Sequence, residues 1–139
     1  MNSADPAIGS SRRILVIDNE ANIREVVQAC LSDLGGWEVL GVASGQEGLA
    51  KAATEAFDAI VLDPLALEMD SVLFLQQLRN NPLTHKIPLI VLTARVHTVQ
   101  PRKLSQFGVM EAIAKPFNPV TLPQQIAIAL GWQQVVVQV

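Results

Sequence analysis

The sequence of 139 residues has one cysteine, no tyrosine, four phenylalanines and two tryptophans. The single Cys30 excludes an internal disulfide, and with no His or basic residue set beside it the simplest reading is a small buried hydrophobe. Few aromatics leave the core to Leu, Ile, Val and Ala, in a chain that is 50% hydrophobic. Charge is sparse at 17%, with a formal net charge of -3 and no block of Lys or Arg. That excludes the large electrostatic footprint of a nucleic-acid or anionic-membrane binder and favours a protein partner. No window reaches the roughly 18 apolar residues of a membrane span, and residues 1–13 lack the apolar centre of a secretory signal. The reading is a cytoplasmic protein with no membrane contact and no direct nucleic-acid contact.

What is present is alternation. The length suits one domain with a proper core. Residues 1–11 are small, polar and aperiodic, and read as a loose N-terminal arm; the domain spans 12–131, and 132–139 form a tail. Arg13 to Ile17 is a short continuous apolar run ending at Asp18-Asn19-Glu20, the pattern of a strand buried on both faces. Ile23, Val26, Val27, Cys30, Leu31 and Leu34 then make one face of a helix, closed by Gly35-Gly36. A second strand over 37–42 leads to a capping box at Ser44 and Glu47, opening a helix with Leu49, Ala52, Ala53 and Ala56 on one side.

A third strand, 57–62, ends at Asp63, and Asp70 is placed to cap a helix with Val72, Leu75 and Leu78 inward. A fourth strand covers 87–92, a weaker helix about 98–107, a fifth strand 109–114, and a last helix starts near Thr121 with Pro123 in its first turn. Glu20 reads as the start of the first helix, where an acid suits the dipole. Five βα units predict an α/β fold: a doubly wound five-stranded parallel sheet with helices on both faces, three layers in all. Ligands in such sheets sit outside the strand carboxyl ends. The β-prone tail has a potential to pair with an edge or a second chain, which leaves a homodimer open.

Four polar residues from four strands meet at that rim: Asp18, Asp63, Thr93 and Lys115. Any one alone is what a strand meeting solvent looks like. Together they suit phosphoryl transfer to a carboxylate, with paired acids for a hard cation such as Mg²⁺, a hydroxyl and a backbone N–H for the phosphoryl oxygens, and an ammonium to complete the clamp. His85 and His97 have no second ligand at a useful spacing and read as exposed residues.

The residues that carry this chemistry resemble the receiver domain of bacterial two-component response regulators, from about Arg12 to Leu130. Ile-Leu-Val-Ile-Asp-Asn-Glu-Ala-Asn-Ile-Arg (14–24) is similar to the family's opening strand and acidic pair, and Asp58-Ala-Ile-Val-Leu-Asp63 to its phosphoacceptor strand. Asn81 to Ala94 resembles its fourth strand with a Thr-Ala end, and Lys115-Pro116-Phe117 its Lys-Pro. The resemblance implies strand order 2-1-3-4-5 and a cis Lys115-Pro116 bond. It implies that Asp63 accepts a phosphoryl group from a histidine kinase or histidine phosphotransfer protein. Thr93, the Ala94 N–H and Lys115 would contact that group, with Mg²⁺ held by Asp18, Asn19, Asp63 and the Leu65 carbonyl. Such a domain is a phosphoacceptor rather than an enzyme, and its output is binding to another, unnamed protein through the face of the fourth helix, fifth strand and fifth helix.

Three departures stand out. Asn19 replaces the second acid, which predicts weaker Mg²⁺ binding because ligand charge count sets affinity; Glu20 offers a partial compensation, but the preferred reading keeps it as the start of the first helix. Ala112 stands where relatives carry an aromatic ring that reports on Thr93. Leu65 and Arg95 flank the acceptor at positions that tune phosphate loss, and a bulky Leu65 is expected to slow the attacking water. These departures raise an alternative, a degenerate receiver that works as an interaction module without phosphate. An aspartate-nucleophile phosphatase would need a second Asp two residues after the first, and a flavin carrier a Ser/Thr/Gly-rich phosphate loop; neither is present.

Overall fold

The computed structural model describes residues 12–67, 71–96 and 105–132. Five strands form one parallel sheet in the order β2-β1-β3-β4-β5: β1 Arg13–Ile17, β2 Glu38–Val42, β3 Ala59–Leu62, β4 Leu89–Thr93 and β5 Val109–Ala114. Helices α1 (Ala21–Asp33), α2 (Gly45–Thr54), α3 (Ser71–Asn80) and α4 (Leu122–Leu130) cover it, with a 3-10 turn at Pro64–Ala66. The predicted α/β fold and strand order are therefore the observed ones. The helix expected over 98–107 and the cap expected from Asp70 lie outside the described residues, apart from two helical residues at 105–106. His97 and residues 133–139 lie outside them too.

Strand side chains alternate between two cores, as a pleat of period two requires. Leu15, Ile17, Ile60, Leu62, Leu89 and Val91 face one core, which also holds Ala52 of α2 and Phe74 and Leu78 of α3. Ile14, Val16, Val61, Ile90 and Leu92 face the other, with Val27 and Leu31 of α1 and Ile126 of α4. Both faces are dry along the three inner strands, so β1, β3 and β4 read as continuous apolar runs, and burying one such side chain contributes ~1.5–3 kcal/mol; the edge strands β2 and β5 carry the exposed Glu38 and Glu111. At the β4–β5 pairing, Leu89 meets Val109 but Ile90 meets Glu111, so Met110 is an inserted, exposed residue. This bulge turns Ile113 to the α1/α4 core and Ala112 to the other.

The helix faces are narrower than their apolar spacing predicts. Val26 of α1, Leu34 at its C-cap and Val72 of α3 are exposed, not inward, while Phe74 and Leu78 are the fully buried anchors of α3. Ala56 falls beyond the end of α2 and is exposed. α2 instead packs closely through glycine: a Cβ at Gly48 would collide with Ile17 Cδ1 of β1, and one at Gly45 would lie 2.9 Å from the Leu67 carbonyl oxygen in the loop after β3. Ser44 caps α2 by accepting from Glu47 N–H at 3.2 Å. Thr121 does not cap α4 with its side chain; the turn before the helix is held by Asn118, whose Oδ1 accepts from Val120 N–H at 2.9 Å. Pro123 sits in the first turn, where its missing N–H leaves nothing unpaired.

Cys30 is buried, and burial pushes its thiol up to about 11, an inert packing group. His85 is exposed, its Nδ1 2.9 Å from the Pro82 carbonyl. Trp132 packs edge-on against Trp37 with ring centroids 5.3 Å apart, and the Arg12 guanidinium lies 4.5 Å from the Trp132 ring. These contacts join the two ends of the described fold at the side opposite the strand carboxyl ends.

Arg79 of α3 ties two loops together through backbone carbonyls alone: its Nε donates to Phe107 (2.8 Å) and its Nη1 to His85 (3.1 Å) and Thr84 (3.3 Å). Gly108 follows at φ 78°, and a Cβ there would lie 2.6 Å from Arg79 Nη2. Arg79→Ala strands these part-buried acceptors and is expected to cost about 1–3 kcal/mol. Gly108→Ala is expected to cost a similar amount, because it adds left-handed strain to displacement of the guanidinium. Urea denaturation checks both; a loss below ~0.5 kcal/mol for Arg79→Ala would show that water replaces the guanidinium freely.

Candidate functional site

The carboxyl ends of β1, β3 and β5 bring three carboxylates onto one ammonium. Lys115 Nζ, one residue past β5, donates to Asp18 Oδ2 at 2.7 Å, Asp63 Oδ2 at 2.8 Å and Glu20 Oε1 at 3.2 Å. Asp18 is 2% exposed and Asp63 3%, and the Lys115 side chain 8%. These are the buried charges of the described core, and they are compensated by one another. Burial opposes the Lys115 charge, but the hydrogen bonds and fields of Asp18 and Asp63 outweigh it and hold the ammonium well above the ordinary lysine range.

The backbone fixes this arrangement. Asp63 N–H donates to the Ile17 carbonyl (3.0 Å) and Asp18 N–H to that of Val42 (3.1 Å), so both acids leave the sheet as direct continuations of its ladders. Asp63 Oδ1 accepts from Leu65 N–H at 3.0 Å, capping the 3-10 turn that Pro64 opens. Asp18 Oδ1 accepts from Glu20 N–H at 2.9 Å, and Arg24 Nη1 donates to the Asp18 carbonyl at 2.7 Å, bracing α1 against β1. Each buried acid keeps one oxygen on the protein frame and turns the other to the shared cation.

Thr93 ends β4 buried, its hydroxyl accepting from Arg95 N–H at 3.2 Å, and Ala94 beyond it is exposed. Lys115 N–H donates to the Thr93 carbonyl at 3.0 Å, which locks the ends of β4 and β5 together. The Lys115-Pro116 peptide is cis. Leu65 stands at the mouth, 53% exposed. Thr93, Ala94 and Leu65 thus share the rim with Asp63, and among the described residues the ion-paired side chains there are Asp18, Glu20, Asp63 and Lys115.

Glu20 stands at the start of α1, as its position suggests, while its carboxylate is engaged with Lys115. Asn19 is exposed, and among the described residues no hydrogen bond joins its side chain to the cluster. Glu20 occupies the N-cap position of α1 without a side-chain capping bond, and its carboxylate turns to Lys115. One oxygen each from Asp18, Glu20 and Asp63 lies within 4.8 Å of the others. The signal for this is the spacing: Glu20 is extended (φ -90°, ψ 108°), and in extended chain residues two apart share a side.

The donor set is all carboxylate oxygen, which suits a hard divalent cation, and Lys115 Nζ already stands among these oxygens as a cation. Octahedral Mg²⁺ at ~2.1 Å separates its ligand oxygens by about 3–4.2 Å, a spread this cluster can close to. Asp18, Glu20 and Asp63 therefore form a candidate cation site.

Comparisons with known proteins agree with this geometry. The model of the response regulator receiver domain family matches residues 14–127. The probable chemotaxis protein CheY of Rhizobium etli is 26% identical over 125 residues, 90% of this chain and 97% of that protein. The structure of the chemotaxis response regulator CheY4 of Vibrio cholerae aligns with TM-score 0.74 and 30% identity, covering 86% of this chain and 98% of the other. The receiver domain of the sensor histidine kinase PA1611 of Pseudomonas aeruginosa, solved with magnesium in its active-site cleft, aligns with TM-score 0.72 and 26% identity over 87% and 98% of the two chains. Other curated relatives, at 33% identity, are longer; the chain spans about half of their length, 44–52%. A parallel sheet in the order 2-1-3-4-5, two buried aspartates and a lysine at its carboxyl edge, and a family match over most of the sequence lead to one statement: the chain belongs to the response regulator receiver domain family.

Proposed function

We propose that this protein is a phosphorylation switch in which Asp63 receives a phosphoryl group from a histidine kinase or histidine phosphotransfer protein, and whose output is a protein–protein contact. The observation that carries the reading is Asp63 itself: a carboxylate at a strand end, 3% exposed, with one oxygen fixed by Leu65 N–H and the other 2.8 Å from Lys115 Nζ. Receiver domains are signalling modules rather than enzymes in their own right, and they meet kinases on one side and output proteins on the other.

In the transfer, an Asp63 oxygen forms a P–O bond as the P–N bond of the donor phosphohistidine breaks. The imidazole leaves with the bonding pair and takes a proton from solvent. A bound Mg²⁺ supplies charge neutralisation for the phosphoryl oxygens. Lys115 gives a second positive charge at hydrogen-bond distance from the acceptor. Thr93 stands at the end of the neighbouring strand; its hydroxyl oxygen accepts from the Arg95 N–H, and its O–H can donate to a phosphoryl oxygen. The Ala94 N–H follows in the same segment. An exposed Leu65 beside the acceptor is expected to hinder the water that would hydrolyse the acyl phosphate. With Ala112 in place of a ring, the output rests on movement of the Thr93–Arg95 segment and not on an aromatic rotamer.

The experiment is incubation with Mg²⁺ and acetyl phosphate or phosphoramidate, followed by intact mass. A single phosphoryl adduct, absent from Asp63→Asn, is expected. No adduct at high donor concentration and none from any histidine kinase tested would remove the switch reading in favour of a module that binds without phosphate.

A further inference from the structure

If Asp63 is the phosphoacceptor, its cation needs carboxylates, and the residue next to Asp18 is the amide Asn19. We infer that Glu20 supplies the carboxylate that Asn19 lacks, so that Asp18, Glu20 and Asp63 are the charged ligand set of this chain's Mg²⁺ site; the inference rests on the receiver reading above.

Four observations converge. Glu20 Oε1 lies in the same small volume as the Asp18 and Asp63 oxygens and contacts the same ammonium at 3.2 Å, although the Glu20 side chain is 60% exposed. An exposed glutamate free to point into solvent instead reaches inward to a cation. Its backbone is committed to this direction: the Glu20 N–H is held by Asp18 Oδ1 at 2.9 Å, and its extended dihedrals put it on the side of Asp18. The side chain is not used to cap α1, the ordinary duty of a polar residue at this position. Asn19 stands exposed, with no bond to the cluster among the described residues.

Charge count gives the consequence. Asp18 and Asp63 against Lys115 leave one excess negative charge, half of what a divalent cation carries. With Glu20 the excess is two, which Mg²⁺ neutralises. Ligand charge is a principal determinant of affinity for such cations. The loss expected from Asn19 alone is therefore offset from the next residue, with the extra methylene of Glu over Asp spanning the added distance from the backbone.

Calorimetric titration of the full chain with MgCl₂ tests this. Glu20→Gln is expected to raise the Mg²⁺ Kd about tenfold, as is Glu20→Asp, whose carboxylate is one methylene short. Asn19→Asp alone is expected to change it less than about threefold, but to restore most of the affinity lost in Glu20→Gln. Thermal denaturation without metal verifies that each variant folds. Glu20→Gln within about twofold of wild type, together with a large tightening by Asn19→Asp, would overturn the assignment. So would a Glu20→Asp variant as tight as wild type, since a general field effect needs no reach. If wild type binds Mg²⁺ and Asp63→Asn weakens it while Glu20→Gln does not, the receiver reading survives and Glu20 alone is misassigned. If wild type shows no saturable binding, both fall.

Discussion

Lys115→Ala is expected to lower the stability of the metal-free protein by about 3–5 kcal/mol, the loss typical of removing one partner from a buried ion pair. Its ammonium faces three carboxylates, two of them in the core, at 2.7, 2.8 and 3.2 Å. Truncation leaves like charges within 4.8 Å of each other with no counter-charge. Urea denaturation followed by fluorescence of the Trp37–Trp132 pair measures the loss. Mg²⁺ should return part of it, and should stabilise the variant more than wild type, because in wild type the ammonium must first give way. The pH dependence has a defined sign. The folded-state pKa of Lys115 lies above its unfolded value, so its contribution is full at neutral pH and is lost only as alkaline pH rises through the folded value. A loss under ~1 kcal/mol, or equal Mg²⁺ stabilisation of both proteins, would show that the carboxylates relax into solvent when the lysine is removed.

Asp63→Asn is expected to abolish the phosphoryl adduct completely while changing metal-free stability by no more than about 1 kcal/mol. The first half follows from chemistry: an amide oxygen is too poor a nucleophile to take the phosphoryl group. The second follows from charge balance. Asp63 is attracted by Lys115 but repelled by Asp18 and Glu20, and at an effective dielectric of ~20 each of these interactions is of order 4–6 kcal/mol, so neutralising Asp63 removes terms of opposite sign. The asparagine carbonyl can still accept from Leu65 N–H, and packing is unchanged. The two variants thus separate function from fold: Lys115→Ala loses stability, whereas Asp63→Asn loses chemistry. A strongly destabilised Asp63→Asn would mean that the Asp63–Lys115 bond dominates the cluster and that Glu20 contributes little repulsion.

The inner strands are legible in the sequence because both sheet faces are dry there, which writes β1, β3 and β4 as apolar runs bounded by a polar residue; the edge strands β2 and β5 are interrupted by Glu38 and Glu111. Arg13–Ile17 coincides with its run. The fourth strand begins at Leu89, two residues inside the run from Ile87, because Pro88 has no N–H for the ladder. Helix faces are less legible. A spacing of three and four defines a stripe, but its buried width depends on what packs against it, and Val26, Leu34 and Val72 fall outside that contact. The docking of α2 through Gly45 and Gly48 is invisible to hydrophobic periodicity, since a glycine contributes no apolar signal.

In the site, Asp18, Asp63 and Lys115 are legible from strand ends, and they meet. Glu20 is legible only as the second of two readings, because its position also suits a helix start, and the extended backbone at residue 20 shows its carboxylate turned to Lys115. Arg79 is missed for another reason: its partners are backbone carbonyls, which carry no mark in a sequence.

The central claim, that Asp63 is the phosphoacceptor, is tested most directly by locating the modified residue. An acyl phosphate formed from acetyl phosphate and Mg²⁺ is reduced by borohydride to the alcohol, which converts a phosphorylated aspartate to homoserine and survives peptide sequencing by mass spectrometry. The expected result is homoserine at position 63 and at no other acid, with Asp18 and Glu20 unmodified. Reduction at Asp18 or Glu20, or no reduced residue in a sample whose intact mass shows an adduct, would contradict it.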